Sequence, residues 1–238
     1  MPPPLPYKPI AGAVPCPGGW LVLPARLLGV TLVPEEPFVV EVLVDLLDYR
    51  PSFVNIVIDI PIGLPETPFG GYRACDKDAR AMIGWPRRMD IPRVPSREAL
   101  YAHSFEQAHL AEPWLTPLNY RRFRWIREAD QEIQPYHQRR VFSANPDLSF
   151  LMVNGERATS TSSFWKDGPI ERLALMQERL PGLRTIANGA APKGASLRHV
   201  LNAAGLLWTS RRIAGRAITR LPRDPEWDEQ GRRMELVR

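Results

Sequence analysis

Cysteine and long apolar runs are scarce in this sequence of 238 residues. Only Cys16 and Cys75 are present, too few for a disulfide framework, and neither belongs to a Cys-x-x-Cys pair of the kind that binds zinc. No run approaches the roughly 20 apolar residues that a membrane-spanning helix needs, and residues 1–6 lack the basic and apolar regions of a signal peptide. We therefore expect a cytoplasmic protein with reduced thiols and no membrane contact.

Residues that carry common catalytic chemistry are also few. The four histidines, His103, His109, His137 and His199, show no spacing typical of a metal site. Hydroxyl groups cluster at residues 158–163, but no His-Asp arrangement accompanies them, as a serine nucleophile would require. These observations argue against a zinc enzyme and a serine hydrolase.

Arginine is plentiful and is concentrated in two stretches. The chain carries 31 basic and 26 acidic residues, a net charge of +5, which favours polyanionic partners modestly. Arginines alternate with aromatic residues at 120–127 and recur along residues 211–223. Such mixtures can hold phosphates and stack on bases, although the solvated face of an amphipathic helix has a similar composition. The candidate nucleic-acid contacts are Arg121, Arg122, Arg124, Arg211 and Arg212.

Short apolar runs between turn residues predict strands in the first part of the chain. Cys-Pro-Gly-Gly at residues 16–19 separates two such runs and indicates a hairpin. Apolar residues from 38 to 47 recur at helical spacing, whereas the β-branched run at 53–60 is typical of a strand buried on both faces. The first three strands are predicted at 8–14, 20–23 and 27–33, as an antiparallel meander.

Helical patterns separated by proline-rich loops predict an insertion over residues 61–138. Its helices are predicted at 72–83, 97–111 and 118–133. A fifth strand fits residues 140–144, and further helices fit residues 169–180 and 195–217. This order predicts a single α/β domain over residues 1–238, in which helices cover both faces of a mixed five-stranded sheet and the insertion follows the fourth strand.

Four motifs occur together in an order that resembles a known family. They are Cys-Pro-Gly-Gly-Trp at 16–20, Ile-Asp-Ile-Pro-Ile-Gly-Leu at 58–64, Arg-Ala-Cys-Asp at 73–76, and Arg-Val-Phe at 140–142 with Asn-Pro-Asp-Leu-Ser-Phe at 145–150. The chain resembles a family of predicted RNase H-like nucleases, catalogued as domain of unknown function 429, from about residue 12 to residue 215. The resemblance implies an RNase H-like sheet and, in an active member, metal-dependent cleavage of nucleic acid.

The resemblance also implies a set of acidic metal ligands, and most of their positions have lost the acid. RNase H-type nucleases hold two divalent ions, Mg²⁺ or Mn²⁺, with three or four carboxylates. Asp59 stands at one family position and Asp147 conservatively at another. Val14 stands where the family has Asp, and Ser143 where it has Glu. The motif histidine aligns with Asn145, and the acidic pattern of the last helix aligns with Arg198, His199 and Asn202.

The remaining acids allow two interpretations. The catalytic candidates are Asp59, Asp76 and Asp147, and Asp59 is the metal ligand if a site survives. Glu128 or Asp130 could complete a rebuilt set of ligands. Each candidate also has a structural interpretation: Asp59 can cap the turn after its strand, Asp76 can supply charge at a helix N-terminus, and Asp147 can lie in an N-cap region.

Three functions are compatible with these observations. The loss of ligands favours a catalytically degenerate RNase H-like protein that needs no cofactor and binds nucleic acid or a protein partner. The retained Asp59 motif is the basis of an alternative, an active Mg²⁺- or Mn²⁺-dependent nuclease with a shifted set of carboxylates. The third is a structural subunit of a larger assembly, which the tail rich in Arg and Trp would suit. The RNase H-like fold predicts that Val14 and Asp59 lie on neighbouring strands and that Asn202 lies on a helix across the same cleft.

Overall fold

The computed structural model describes residues 6–238 and has a six-stranded mixed sheet at its centre. The strands are β1 (Lys8–Cys16), β2 (Gly19–Leu28), β3 (Thr31–Pro34), β4 (Phe38–Val40), β5 (Asn55–Ile58) and β6 (Val141–Ser143). Their order is β3-β2-β1-β5-β6, and β4 pairs with the other end of β2. β1, β2 and β3 form an antiparallel meander, as predicted, whereas β1, β5 and β6 run parallel. The predicted bounds of the second and third strands are wrong, because β2 continues to Leu28 and the turn at residues 29–30 falls inside the predicted third strand. The mixed α/β sheet is confirmed, and the predicted count of five strands is wrong by one.

The helices of the described residues surround this sheet. They are α1 (Leu43–Leu47), α2 (Ala74–Ile83), α3 (Arg97–Leu100), α4 (Phe105–Ala111), α5 (Pro117–Tyr120), α6 (Phe123–Glu132), α7 (Pro146–Val153), α8 (Gly168–Met176), α9 (Leu183–Asn188) and α10 (Leu197–Ala214). Two 3₁₀ helices occupy Arg87–Asp90 and Pro135–Arg139. Within residues 6–238, no helix is both long and apolar enough to cross a bilayer.

Alternating side chains of the central strands fill two cores, one on each face of the sheet. In β1, Ile10 and Val14 belong to the core beneath α7, α8 and α10, whereas Ala13 belongs to the core beneath α1 and α6. The alternation follows from the two-residue period of a strand. α10 lies directly against β1, where a Cβ on Gly12 would come within 2.3 Å of the main-chain oxygen of Ala203. Glycine therefore sets how closely α10 approaches the sheet.

The extra strand, β4, falls in a segment that the periodicity predicts as a helix over residues 38–47. Phe38, Val39 and Val40 instead pair with the edge of β2. Two of these three residues are β-branched and fit an extended edge better than a helix. The helix α1 begins only at Leu43. Pairing with a distant strand thus outweighs the local helical pattern.

The insertion after β5 contains shorter helices than the sequence predicts. The predicted helix at 97–111 is interrupted before α4, because the Ser104 hydroxyl accepts a hydrogen bond from the N–H of Gln107 (3.3 Å) and caps a new helix. The predicted helix at 118–133 is likewise divided into α5 and α6 around Arg121 and Arg122.

A C-terminal hairpin forms a second, two-stranded sheet that the sequence analysis did not predict. β7 (Arg220–Trp227) pairs with β8 (Arg233–Val237), and the hairpin packs against α2 and β6. Buried ion pairs hold it in place: Arg232 Nη2 lies 2.5 Å from Asp130 Oδ1, and Arg97 Nη2 lies 2.6 Å from Asp228 Oδ2. The hairpin is therefore joined to the insertion by charge as well as by apolar packing.

Candidate functional site

The carboxyl ends of β1 and β5 border a cleft of about 550 Å³. Asp59 directly follows β5, and its main-chain N–H donates to Ala13 on β1 (3.1 Å). Because β1 and β5 pair directly, Val14 and Asp59 do come from neighbouring strands, as predicted. The charged and aromatic residues that line the cleft are Asp59, Asp90, Arg121, Arg122, Trp125, Phe164, Arg198 and His199.

Cationic side chains dominate the charge of this cleft. Three arginines contribute to its lining: Arg121, Arg122 and Arg198. Asp90 adds little negative charge, because it forms an ion pair with Arg87. Among the described lining residues, Asp59 is then the one carboxylate without an ion-pair partner, and Arg122 and Arg198 are close enough for their charges to act on it. The cleft is therefore suited to an anionic ligand.

Asp59 titrates in an environment of mixed charge. The pKa of its carboxyl is raised from 3.8 to about 6, chiefly by burial; Arg122 and Arg198 oppose the rise, and Asp147 adds to it. Arg122 Nη2 also donates to the main-chain oxygen of Asp59 (3.3 Å), which anchors this guanidinium at the end of β5. At neutral pH the carboxylate is mainly ionised, and the charges of Arg122 and Arg198 offset only part of the cost of burying it.

The first turn of α10 brings Arg198 and His199 to the cleft. Burial and the charge of Arg198 lower the pKa of His199 to about 4, so the imidazole is neutral at pH 7. The N–H of Ser196 donates to His199 Nδ1 (3.1 Å). The Arg198 guanidinium lies 4.5 Å from the ring centroid of Phe164, within the range of a cation–π contact.

Asp76 is held in an ion pair with Arg73. Arg73 Nε donates to Asp76 Oδ2 (2.9 Å) and Nη2 donates to Oδ1 (3.0 Å), so both carboxylate oxygens are occupied. The same arginine donates to the main-chain oxygens of Ile62 and Gly63, each at 2.9 Å. The pair therefore ties the start of α2 to the segment that follows β5, which is the geometry of the structural interpretation of Asp76.

Asp147 is close enough to Asp59 to raise the pKa of the Asp59 carboxyl. The Asp147 carboxylate itself is paired with two arginines. Arg87 Nη2 donates to Asp147 Oδ1 (2.8 Å), and Arg172 donates to the same oxygen. Both arginines are buried. A divalent cation bound to this carboxylate would have to share it with two guanidiniums, and the repulsion would weaken such binding.

At the other positions where the family implies metal ligands, the side chains are buried in the interior of the protein. Val14 is buried in the core beneath α10, and Ser143 Oγ donates to the main-chain oxygen of Ile60 (2.6 Å). Asn145 caps α7, where its Oδ1 accepts from two main-chain N–H groups at 2.9 and 3.3 Å. Asn202 lies on α10 as predicted, but it is buried, and its Oδ1 has no hydrogen-bond partner within residues 6–238.

The two acids suggested for a rebuilt metal site lie in other contacts. Glu128 accepts from Trp20 Nε1 (2.9 Å) and from the N–H of Leu43, and Asp130 belongs to the ion pairs beneath the hairpin. In the part of the chain that the structure describes, no group of three or more His, Cys, Asp or Glu side chains is arranged to hold a metal ion. Paired Mg²⁺ or Mn²⁺ ions therefore do not fit these residues, because the acids are dispersed and Asp59 has cations beside it.

The arginines predicted to contact nucleic acid are not all in one place. Arg121 and Arg122 line the cleft, whereas Arg124 lies beside it, where Nη2 donates to the main-chain oxygen of Cys16 (3.2 Å). Arg211 and Arg212 line a different pocket at the far end of α10. At 1.5 Å per residue, they lie about 20 Å along the helix from Arg198. The sequence stretch 211–223 thus does not contribute to the Asp59 cleft.

Phe164 is an aromatic lining residue that no sequence pattern indicated, as is also true of Asp90 among the charged ones. Phe164 lies in the polar loop between α7 and α8, where no periodicity draws attention to it, and 75% of its surface is exposed. A large aromatic residue inside a polar loop is the signal that could have indicated it. Arg198 was noted only as a position of a lost acid, and its pairing with Phe164 depends on the fold.

These features define a class of protein, a mixed α/β domain whose strand ends border an arginine-lined cleft. The chain belongs to the family described as "Protein of unknown function (DUF429)", whose model matches residues 14–227. No curated protein and no solved structure matches the sequence. The match covers both the cleft and β7, so membership of the family, which the motifs predicted, is confirmed.

Proposed function

We propose that this protein has an RNase H-like fold and binds nucleic acid in the arginine-lined cleft without cleaving it. The proposal rests on a contrast between the arginine side chains that line the cleft and the aspartate side chains near it. Three arginines line the cleft around Asp59, while Asp76 and Asp147 are each paired with arginines of their own. The site therefore presents positive charge where a metal-dependent nuclease would present negative charge.

The arrangement of the sheet supports the fold in this proposal. The antiparallel meander of β1, β2 and β3 comes first in the chain, and β5 and β6 then run parallel to β1. In the sheet, β1 lies between β2 and β5. α10 carries Arg198 and Asn202 at the positions where the family's last acids are expected, and it packs on one face of this sheet. β4 and the C-terminal hairpin are additions to that plan at its periphery.

Guanidinium groups are well suited to nucleic acid when no metal is bound. They bind phosphate oxygens through charge-assisted, often bidentate hydrogen bonds. Cleavage makes a further demand, since two divalent ions must be held about 4 Å apart by several carboxylates. Asp59 alone cannot offset the repulsion between two such ions. Binding thus survives the loss of ligands that removes the chemistry.

Binding can be tested by fluorescence anisotropy with labelled single-stranded DNA and RNA at increasing salt. If three arginines contact phosphates, the logarithm of the affinity should fall with the logarithm of salt concentration with a slope of about −2. Arg122→Ala should weaken binding and make that slope shallower by about 0.7 to 1. Arg223→Ala, which removes an exposed arginine of β7 outside the cleft, is the matched control and should change neither quantity.

Cleavage assays complete the test. We expect negligible cleavage of DNA or RNA with Mg²⁺ or Mn²⁺, because the positions of Val14, Ser143 and Asn202 cannot supply a carboxylate. Cleavage that Asp59→Asn abolishes would instead establish an active nuclease with a shifted set of ligands. Absent or salt-insensitive binding would favour the structural-subunit interpretation.

A further inference from the structure

Phe164 presents an aromatic ring on the rim of the cleft. Its ring stacks over the Arg198 guanidinium at 4.5 Å, yet 75% of the residue surface remains accessible. The cation–π contact holds the ring in place on one side and leaves the rest of it uncovered. Exposed aromatic surface beside a polar cleft is typical of binding sites. The ring is therefore fixed in a position where a second flat group can stack on it.

The guanidiniums of the cleft provide the complementary polar chemistry. Burial lowers the pKa of Arg198; the charge of Asp59 opposes this effect, and the charge of Arg122 adds to it. The two arginines thus share one cleft closely enough to repel each other. An anion bound between them would relieve this repulsion, and a phosphate offers oxygens that guanidiniums bind well. A flat ring and a phosphate together are the chemistry of a nucleotide.

The size and openness of the cleft limit the form of nucleic acid that can enter. Its volume of about 550 Å³ lies within the range of roughly 300 to 1,000 Å³ that is typical of pockets for one small ligand. In a duplex, both faces of each base are covered by neighbouring bases. Only an unpaired, unstacked base can offer its face to an aromatic side chain.

We infer that the cleft binds one unpaired nucleotide of a single strand, with its base stacked on Phe164 and its phosphate held between Arg122 and Arg198. The inference rests on the proposed function and adds to it a preference for single strands and a residue that creates this preference. Every base has a flat face, so stacking selects for unpaired structure and tolerates any base sequence.

The experiment compares a labelled single strand of about 12 nucleotides, a length typical for such sites, with the same strand annealed to its complement. Phe164→Ala and Phe164→Leu should each weaken binding of the single strand roughly tenfold, the scale of one lost base–aromatic stack. Phe164→Leu keeps an apolar cover over Arg198 and removes only the flat face. Phe164→Tyr should retain the affinity. Trp165→Ala is the matched control, because Trp165 is 70% exposed next to Phe164 but does not line the cleft.

The outcomes separate this inference from the function on which it rests. Wild-type affinity in both Phe164→Ala and Phe164→Leu, with weaker binding by Arg122→Ala, would overturn the stacking contact and leave the proposed function intact. Equal affinity of the unaltered protein for single strand and duplex would overturn the single-strand preference. Unchanged binding in Arg122→Ala as well would remove the proposed function itself.

Discussion

Arginine is used in opposite ways beneath the hairpin and in the cleft. Beneath the hairpin, Arg97 and Arg232 are buried against two aspartates, Asp130 and Asp228, so that the charges compensate each other. In the cleft, the arginines that line it form no ion pair at 4.0 Å or less within residues 6–238, and Asp59 offsets only part of their charge. A balanced set of charges stabilises the fold, whereas an excess of one sign on an open surface is available to a ligand.

Among the tests of this comparison, Asp130→Ala is expected to change the free energy of unfolding most. Asp130 accepts hydrogen bonds from Arg97, Arg232 and Tyr101, and its loss leaves two buried guanidiniums without this partner. We expect the free energy of unfolding to fall by about 3 to 5 kcal/mol. Urea unfolding followed by circular dichroism measures the change. Glu178→Ala, at an exposed position, should have little effect, and an equally small effect of Asp130→Ala would show that the network contributes no stability.

Asp59→Asn is expected to raise the free energy of unfolding at neutral pH, by less than Asp130→Ala lowers it. The folded-state pKa of Asp59 is raised from 3.8 to about 6, so the folded state takes up the proton more readily than the unfolded state. Above pH 6 the ionised carboxylate lowers stability, and this penalty disappears as the pH falls from about 7 to about 4.

Asp59→Asn should therefore be more stable than the wild type at pH 7.5 by about 1 to 2 kcal/mol, after allowance for solvent screening. The difference should vanish near pH 4. Thermal or urea unfolding at both pH values measures it, with the exposed Asp78→Asn as the control. Lower stability of Asp59→Asn at pH 7.5 would mean that the carboxylate is well compensated by the neighbouring arginines.

The smallest effect is expected from Arg211→Ala at the far end of α10. Arg211 already donates to the main-chain oxygen of Val30 through Nε (3.3 Å) and Nη2 (3.0 Å). Its removal should change the anisotropy-measured affinity for a single strand by less than about twofold, because a contact outside the binding site carries little of the energy. A loss as large as that of Arg122→Ala would show that the strand extends along α10 to the second pocket.

Local sequence patterns predicted the centre of the sheet and failed at its periphery. The Cys-Pro-Gly-Gly turn between two short apolar runs predicted the first hairpin, and the β-branched run predicted β5. The strand β7 contains two prolines and four charged residues, a composition that does not predict a strand. Its pairing with β8 and the ion pairs beneath it stabilise a segment that has little intrinsic preference for extended structure.

The sequence indicated several residues of the candidate site but not which residues lie next to one another. The motif at residues 58–64 indicated Asp59, and composition indicated Arg121 and Arg122. No local pattern indicates that Asp147 meets Arg87, 60 residues away, or that Asp130 meets Arg232, 102 residues away. Such pairings decide which carboxylates remain open to a ligand.

The sequence by itself determined which family positions keep an acid, which have lost one, and where apolar runs between turn residues can form strands. Those properties depend on residue type and on neighbours a few positions away. The tertiary structure decided which arginine neutralises which acid, that Phe164 covers Arg198, and that residues 211 and 212 lie apart from the cleft. The physical reason is that electrostatic and stacking energies depend on distances in space, which only the packing of α10 and the insertion against the sheet establishes.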